Sequence, residues 1–241
     1  MSVLLETKNL SKHFAGLVAN QDINFSLEVG SIRCVIGPNG AGKTTFISMI
    51  SGHLHPTGGR IIYKDRDVTD LSVIRRARIG IARKFQTPTV FENLTAYQNI
   101  ELAVLGTGCP RAKRHRRIFE ILDLIRLSEV WDRPAQFLSH GQRQWLEVGL
   151  LIAIEAELLL LDEPTAGMTA EETASTARLV QMLAREFKLS VIIIEHDINF
   201  IRDLRAPVTV LHLGRVLLDG SFEEVAANDR VRDVYLGHEA G

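Results

Sequence analysis

Apolar and polar residues alternate along the first part of the chain. Residues 3–10 and 23–29 both follow this period of two, and Asn24 and Glu28 fall on the polar side of the second segment. Such alternation is typical of strands with one buried face. Another short strand is indicated at residues 59–63, behind a turn rich in proline and glycine. The chain is therefore predicted to open with antiparallel β structure.

The second half of the chain has a different pattern. Residues 158–162 and 191–195 are apolar runs that end in an acidic residue, as expected of parallel strands buried on both faces. Residues 170–187 have the length of a crossover helix. Residues 81–85 indicate a further strand. Between these segments, helical spacing of apolar residues occurs at residues 93–105, 111–127 and 142–154. This order predicts one α/β domain with a helical insertion.

Residues 37–44, Gly-Pro-Asn-Gly-Ala-Gly-Lys-Thr, match the phosphate-binding pattern G-x-x-x-x-G-K-[ST] at every fixed position. A predicted strand at residues 31–36 precedes them and helical spacing over residues 43–50 follows. Glycines let the backbone direct N–H groups at one anion, to which the helix dipole adds. A glycine-rich turn with a surface lysine is the alternative. We expect a nucleotide site in which Lys43 contacts the terminal phosphates and the Thr44 hydroxyl binds magnesium.

Charge and cysteine content narrow the functional classes. Across 241 residues, 28 Lys and Arg balance 29 Asp and Glu, so no overall field recruits nucleic acid or an acidic membrane. The basic run at residues 111–117 lacks interleaved aromatic residues, which favours a solvated helix face over a nucleic-acid or lipid patch. The predicted burial of Cys34 makes a disulfide with Cys109 unexpected. No apolar run approaches the roughly 20 residues of a membrane span, and we expect a chain that is soluble by itself.

Two further segments carry candidate chemistry. Asp162 and Glu163 stand at the end of a buried strand, where doubly wound sheets bind ligands. We expect Asp162 to hold magnesium and Glu163 to polarise the attacking water as general base, although an acidic pair here could simply begin a loop. Residues 138–142, Leu-Ser-His-Gly-Gln, precede an amphipathic helix with Ser139 placed as its N-cap. The start of that helix is a second expected anion site.

Together these segments resemble the ATP-binding cassette (ABC) family. Residues 138–142 are similar to the family signature L-S-G-G-Q, which likewise stands upstream of the position of Asp162. The resemblance implies an α/β P-loop NTPase (RecA-like) core, with an antiparallel β subdomain and an inserted helical subdomain. It also implies ATP hydrolysis, with ATP and Mg²⁺ as cofactors. The implied organisation is one ABC ATPase domain over residues 1–241, with a catalytic lobe (1–86 and 157–241) and a helical signature subdomain (87–156).

The resemblance implies roles for individual residues as well. Phe14 resembles the aromatic residue that stacks on adenine, although from spacing alone it could equally be core. Gln86 resembles the glutamine that contacts magnesium and the attacking water, and His196 the switch histidine that contacts the γ-phosphate. The implied catalytic residues are Glu163, His196, Gln86 and Lys43, and the implied magnesium residues are Thr44, Gln86 and Asp162. The nucleotide would contact Phe14, Gly37, Pro38, Asn39, Gly40, Ala41, Gly42, Lys43, Thr44 and Thr45 of one subunit. The partner of a head-to-tail dimer would add Ser139, His140, Gly141 and Gln142 in trans.

Two positions depart from the family pattern. His140 replaces a glycine of the signature, and residues 165–168, Thr-Ala-Gly-Met, stand where many members have S-A-L-D. The favoured interpretation of the first is a position that tolerates side chains pointing away. As a hypothesis, a protonated His140 would strengthen γ-phosphate contact and make dimer closure depend on pH. An unchanged pH profile of hydrolysis in His140→Gly would contradict it. The second departure removes the usual aspartate from the dimer-facing loop.

Residues 84–95, 138–147, 162–168 and 234–237 resemble the branched-chain amino-acid importer ATPases, most closely the urea-importer branch. The implied partners are a second ATP-binding subunit, two transmembrane permease subunits that dock near residues 86–99 (Gln86 to Asn99), and an extracytoplasmic solute-binding protein. No nucleic acid is expected. The implied location is cytoplasmic, peripheral on the inner face of the plasma membrane.

The expected function is to energise uptake of urea or a related small amide, with a branched-chain (hydrophobic) amino-acid importer as the alternative. A soluble ABC ATPase that acts on nucleic acid or ribosomes is an alternative of another class, which the single cassette and balanced charge disfavour. A small-molecule phosphotransferase would leave the signature and His196 without a role.

Overall fold

The computed structural model describes residues 2–84 and 90–236. Its strands are β1 (Val3–Phe14), β2 (Leu17–Glu28), β3 (Ile32–Ile36), β4 (Gly58–Tyr63), β5 (Arg66–Asp67), β6 (Ile81–Lys84), β7 (Leu158–Asp162), β8 (Ser190–Ile194), β9 (Val208–His212) and β10 (Arg215–Gly220). Its α-helices are α1 (Lys43–Ser51), α2 (Val73–Arg78), α3 (Ala96–Gly106), α4 (Arg111–Leu124), α5 (His140–Ala153), α6 (Ala170–Phe187), α7 (Ile198–Leu204), α8 (Phe222–Ala227) and α9 (Asp229–Leu236).

The opening antiparallel sheet is confirmed, with the strand order β2-β1-β4-β5. Strands β1 and β2 are longer than the alternating segments that predicted them. They continue as a hairpin in which Lys12 pairs with Asn20 and Phe14 with Leu17. Antiparallel pairing satisfies the backbone without requiring that side chains near the turn be buried, so the apolar pattern does not mark this extension.

A six-stranded sheet with the order β10-β9-β3-β8-β7-β6 forms the centre of the fold. All its neighbours pair in parallel except β10, which pairs antiparallel with β9 at one edge. Strand β8 is buried along its whole length and β7 along its first four residues, as their apolar runs predict. Since β3, β7 and β8 are parallel neighbours, the segments that follow them leave the sheet at the same edge.

The helices of the middle of the chain are present, with bounds set by capping. Helix α3 begins at Ala96 rather than at residue 93, because Thr95 and Gln98 form a capping box. Helix α4 ends at Leu124 rather than at residue 127, since Arg126 adopts a left-handed conformation. Helix α5 packs closely on α3 and α4 at Gly149, where a Cβ atom would lie 2.6 Å from Cδ1 of Ile125.

Arg76 of α2 is buried, with 1% of its surface exposed. Its Nη1 donates hydrogen bonds to the carbonyl oxygens of Met49 (2.6 Å) and Ile50 (2.7 Å) in the last turn of α1. Its other nitrogens donate to the carbonyls of Thr69 and Leu71. The cation therefore satisfies carbonyl groups at the negative end of the α1 dipole.

In the part of the chain that the structure describes, we find no helix with both the length and the apolar content of a membrane span.

Candidate nucleotide-binding site

The loop between β3 and α1 has a backbone that only glycine accommodates at two positions. Gly37 and Gly42 have φ angles of 149° and 98°. A Cβ atom on Gly42 would lie 2.4 Å from the carbonyl oxygen of Ala19, and one on Gly37 would lie 2.1 Å from that of Leu211. Backbone of the segments around Ala19 and Leu211 therefore packs against this loop, which holds it in the curved conformation that the phosphate-binding pattern predicts.

The first turn of α1 provides donors for an anion. Gly42 is the N-cap residue and makes no side-chain capping hydrogen bond. Other helices of the chain are capped by the side chain of Thr95, Ser139, Thr169 or Ser221. The exposed Thr44 and the half-buried Thr45 lie in this uncapped turn of α1. Its N–H groups and the positive end of its dipole are therefore suited to bind phosphate.

Lys43 lies folded against the same loop. Its Nζ donates hydrogen bonds to the carbonyl oxygens of Gly37 (2.7 Å) and Pro38 (3.0 Å). Burial lowers the pKa of Lys43, while the carboxylates of Glu163 and Asp162 oppose this shift by favouring the charged amine. The ammonium group is thus bound to the loop and interacts electrostatically with the two carboxylates predicted for the site.

Asp162 and Glu163 extend from the end of β7 beside this loop, as predicted. One oxygen of Asp162 accepts a hydrogen bond from Arg83 (3.0 Å), and Arg83 also donates to the Ser48 hydroxyl on α1 (2.9 Å). The Thr44 hydroxyl and the Asp162 carboxylate are hard oxygen donors, the type that Mg²⁺ prefers in combination with substrate phosphates. The residues present therefore fit a magnesium ion bound with a nucleotide.

His196 follows β8 and reaches the carboxylate of Glu163. Its Nε2 lies 3.3 Å from Oε1 of Glu163, and each side chain is somewhat more than one-third exposed. The backbone N–H of Glu163 donates to the carbonyl of Ile194 (2.9 Å), so the ends of β7 and β8 are joined next to this pair. A carboxylate oriented by an imidazole at an open edge is an arrangement suited to activating a water molecule.

The predicted signature segment starts α5. The Ser139 hydroxyl accepts a hydrogen bond from the N–H of Gln142 (3.2 Å), while Oε1 of Gln142 accepts one from the N–H of Ser139 (3.0 Å). Gly141 is exposed, and no heavy atom lies within 4 Å of the Cβ position built on it. The N-cap prediction is confirmed. The side chain of His140 lies outside the described residues.

One other predicted residue, Phe14, stands apart from this core of the site. Phe14 lies at the tip of the β1–β2 hairpin, with 42% of its surface exposed and the Nζ of Lys12 5.1 Å from its ring centre. The same hairpin touches the phosphate loop through Asn20, whose Nδ2 donates to the carbonyl of Gly42 (3.2 Å). Gln86 lies outside the described residues.

Three residues that touch the site have no role predicted from the sequence. Arg83 bridges Asp162 and α1, as described above. Glu195 accepts hydrogen bonds from the loops after both β7 and β8. Burial raises the pKa of Tyr235 on α9 to about 12, and a hydrogen bond with the backbone of Gly37 opposes the shift. In the sequence, Glu195 could have been recognised as a charged residue that directly continues a fully apolar strand. The contacts of Arg83 and Tyr235 join distant parts of the chain, and no local pattern indicates them.

Comparison with known proteins agrees with this geometry. Residues 20–166 match the family model of the ABC transporter, and residues 215–241 match that of the branched-chain amino acid ATP-binding cassette transporter. The probable branched-chain amino acid transport ATP-binding protein LivG of Archaeoglobus fulgidus is 34% identical, over 97% of this chain and 95% of the relative. The high-affinity branched-chain amino acid transport ATP-binding protein BraF of Pseudomonas aeruginosa is 32% identical, over 97% of this chain and 98% of the relative.

A solved structure shares the fold of this chain. The ADP conformation of an ATP-binding cassette of an ABC transporter superimposes with a TM-score of 0.86 and 26% identity, over 98% of this chain and 100% of that one. The family match covers well over half of the chain and includes both the phosphate loop and the acidic pair. This chain is therefore an ATP-binding, ATP-hydrolysing subunit of the ABC transporter family, of the branched-chain amino acid type.

Proposed function

We propose that this chain hydrolyses ATP to energise a branched-chain amino-acid importer. The observation that carries the proposal is the shared edge of the central sheet, where the loop with Lys43 follows β3 while Asp162, Glu163 and His196 stand at the ends of β7 and β8. The relatives named for branched-chain amino acid transport and the match at residues 215–241 support the solute class. Residues 1–86 and 157–241 would form the catalytic lobe, and residues 87–156 the helical signature subdomain.

In this proposal the loop at residues 37–45 binds the phosphates of ATP. Lys43 exchanges its hydrogen bonds to the loop carbonyls for the terminal phosphates, and the uncapped N–H groups of α1 bind the remaining charge. Thr44, Asp162 and Gln86 would hold Mg²⁺, which supplies charge neutralisation on the phosphate oxygens. Phe14 contacts the adenine.

Glu163 acts as the general base. Its carboxylate accepts a proton from the attacking water, and His196, 3.3 Å away, orients that carboxylate and contacts the γ-phosphate. Gln86 would position the same water, as the family resemblance implies. The reaction is a phosphoryl transfer to water, in which these residues supply position and proton acceptance rather than a covalent intermediate.

We further propose that hydrolysis needs a head-to-tail pair of cassettes. Ser139, His140, Gly141 and Gln142 at the start of α5 would meet the nucleotide bound to the partner subunit. The exposure of Gly141 and the open space around it permit such an approach. Closure of the pair then couples hydrolysis to movement.

The permease subunits are proposed to dock near residues 86–99. A groove of about 440 Å³ lies between the central sheet and the helices of the middle of the chain. Its lining includes Ala82, Phe91, Leu102 and Ile154, and Phe91 is 60% exposed. An exposed aromatic residue at the rim of an apolar groove fits a helix of a membrane partner. The chain would then lie peripherally on the inner face of the plasma membrane, and a solute-binding protein would act from the other side.

Urea or a related small amide stays a second prediction for the solute, supported by the sequence resemblance alone. Uptake of radiolabelled leucine and of urea, measured in cells that contain the complete transporter with the wild-type chain or with Lys43→Ala, distinguishes the two. Loss of leucine uptake alone supports the proposal. Loss of urea uptake alone would contradict it.

The assignment of the base is tested by Glu163→Gln. We expect this variant to bind ATP and accumulate the closed dimer, with turnover reduced by about 100-fold or more. Glu157→Gln is the matched control, because Glu157 precedes the same strand β7 and its side chain forms a surface ion pair with Lys64. Wild-type turnover in Glu163→Gln would refute the base assignment.

A further inference from the structure

Glu195 is a carboxylate in the interior that the proposed reaction does not use. It directly follows β8 and is 4% exposed. A buried carboxylate is costly unless its oxygens are hydrogen-bonded throughout. The hydrogen-bond partners of the Glu195 carboxylate therefore indicate its role.

Its two oxygens join two different loops. Oε1 accepts hydrogen bonds from the backbone N–H of Thr165 (2.9 Å) and from the Thr165 hydroxyl. Oε2 accepts from the backbone N–H groups of His196 (2.8 Å) and Asp197 (3.3 Å). Thr165 belongs to the loop after β7, and the other two residues belong to the loop after β8. All four partners are donors, so the ionised carboxylate satisfies them all.

These contacts close a ring around the proposed catalytic pair. Thr165 stands two residues after Glu163. His196, whose backbone Glu195 holds, places Nε2 3.3 Å from the carboxylate of Glu163. The ring thus runs from Glu163 through Thr165, Glu195 and His196 back to Glu163. A shift of either loop would change the distance between base and imidazole.

We propose that Glu195 is a positioning residue, which holds the Thr165 loop and the His196 loop in the arrangement needed for hydrolysis. This inference rests on the roles proposed for Glu163 and His196. It predicts that the carboxylate matters for turnover more than for ATP binding, because the phosphate loop makes none of the four hydrogen bonds.

Glutamine is the informative substitution at this position. It has nearly the shape of glutamate but only one acceptor oxygen, and its NH₂ group would face either the two Thr165 donors or the N–H groups of His196 and Asp197. One loop is therefore released whichever way the amide points. Misplacement of a reacting group by about 1 Å costs roughly 100-fold in rate.

The test measures kcat and KM for ATP, with thermal melting to check folding. We expect Glu195→Gln to lower kcat by about 10- to 100-fold with KM changed less than about threefold. Thr165→Val deletes one donor and should lower kcat by a smaller factor, while Thr165→Ser keeps the hydroxyl and should restore it. Thr7→Val is the matched control, since Thr7 is also buried and its hydroxyl donates to the Ile23 carbonyl in the antiparallel sheet.

The outcomes separate this inference from the proposed function. If Glu163→Gln abolishes turnover while folded Glu195→Gln keeps the wild-type kcat, the positioning role is wrong and the base assignment stands. If Glu195→Gln does not fold, Thr165→Val decides: a kcat equal to that of Thr7→Val overturns the inference, and a lower kcat that Thr165→Ser restores supports it. If Glu163→Gln turns over normally, the proposed base itself is wrong.

Discussion

Ser139 is predicted to have two roles that one pair of substitutions can separate. Its hydroxyl caps α5, and the same residue is proposed to meet the nucleotide of the partner subunit. Ser221 caps α8 with the same reciprocal pattern: its hydroxyl accepts from the N–H of Glu224 (3.2 Å), and its own N–H donates to the Glu224 carboxylate (2.7 Å). Ser139→Arg and Ser221→Arg therefore remove equivalent caps.

The two caps should cost similar amounts of stability. Loss of a serine N-cap costs about 1 kcal/mol, which lowers the melting temperature of a domain of this size by roughly 2–4 °C. A domain with a free energy of unfolding of about 5 kcal/mol would then still be more than about 99% folded. Loss of the cap alone therefore leaves the concentration of folded enzyme, and hence turnover, nearly unchanged.

Hydrolysis should distinguish the variants. We expect both to bind ATP as monomers, and Ser139→Arg alone to lose the hydrolysis that depends on dimer closure, by about 100-fold or more. The assays are thermal melting, ATP binding by equilibrium titration, and steady-state hydrolysis over a range of protein concentrations. Similar turnover in Ser139→Arg and Ser221→Arg would show that the start of α5 has only a structural role.

Three other predictions follow from the packing. Gly42→Ala should abolish ATP binding, because the new Cβ would lie 2.4 Å from the Ala19 carbonyl oxygen at a left-handed φ. Titration with ATP measures the affinity, and wild-type affinity would contradict the proposed loop geometry. Burial, with a smaller contribution from Glu195, raises the pKa of Cys34 to about 12. The native thiol should therefore stay protonated and resist iodoacetamide at pH 8, while the less buried Cys109 reacts. Peptide mapping by mass spectrometry checks this, and rapid labelling of native Cys34 would contradict it. Arg76→Leu should lower the free energy of unfolding by about 3–5 kcal/mol, because it leaves buried carbonyls unpaired. Urea denaturation measures this change, and a value below about 1 kcal/mol would contradict the described contacts.

Local patterns predicted the elements whose stabilising contacts are themselves local or repeated. The apolar runs of β7 and β8 identified buried parallel strands, and the bounds of α6 agree with its helical pattern at both ends. Ser139 was recognisable as an N-cap because the capping interaction spans only three residues. The phosphate loop was recognisable because its glycines have fixed spacing.

Elements and contacts that depend on distant parts of the chain were not predicted. Strands β9 and β10 were missed, although β9 pairs with β3 beside the phosphate loop. Nothing near Arg83 in the sequence indicates that it joins Asp162 to α1, since the sheet order creates that contact. The role of Glu195 was hidden for the same reason, because its partner Thr165 lies 30 residues away along the chain.

The buried guanidinium of Arg76 has a consequence for how force could travel through the molecule. It binds the far end of α1, whose beginning is proposed to bind the phosphates. It is carried by α2, which supplies Val73 and Ala77 to the wall of the groove that is proposed to bind a permease subunit. A partner that pushed on that wall would displace α2, and the guanidinium would pass this displacement to the C-terminal end of α1 and tilt the helix. The buried part of this connection is Arg76 itself, whose guanidinium is hydrogen-bonded to carbonyl groups on both sides.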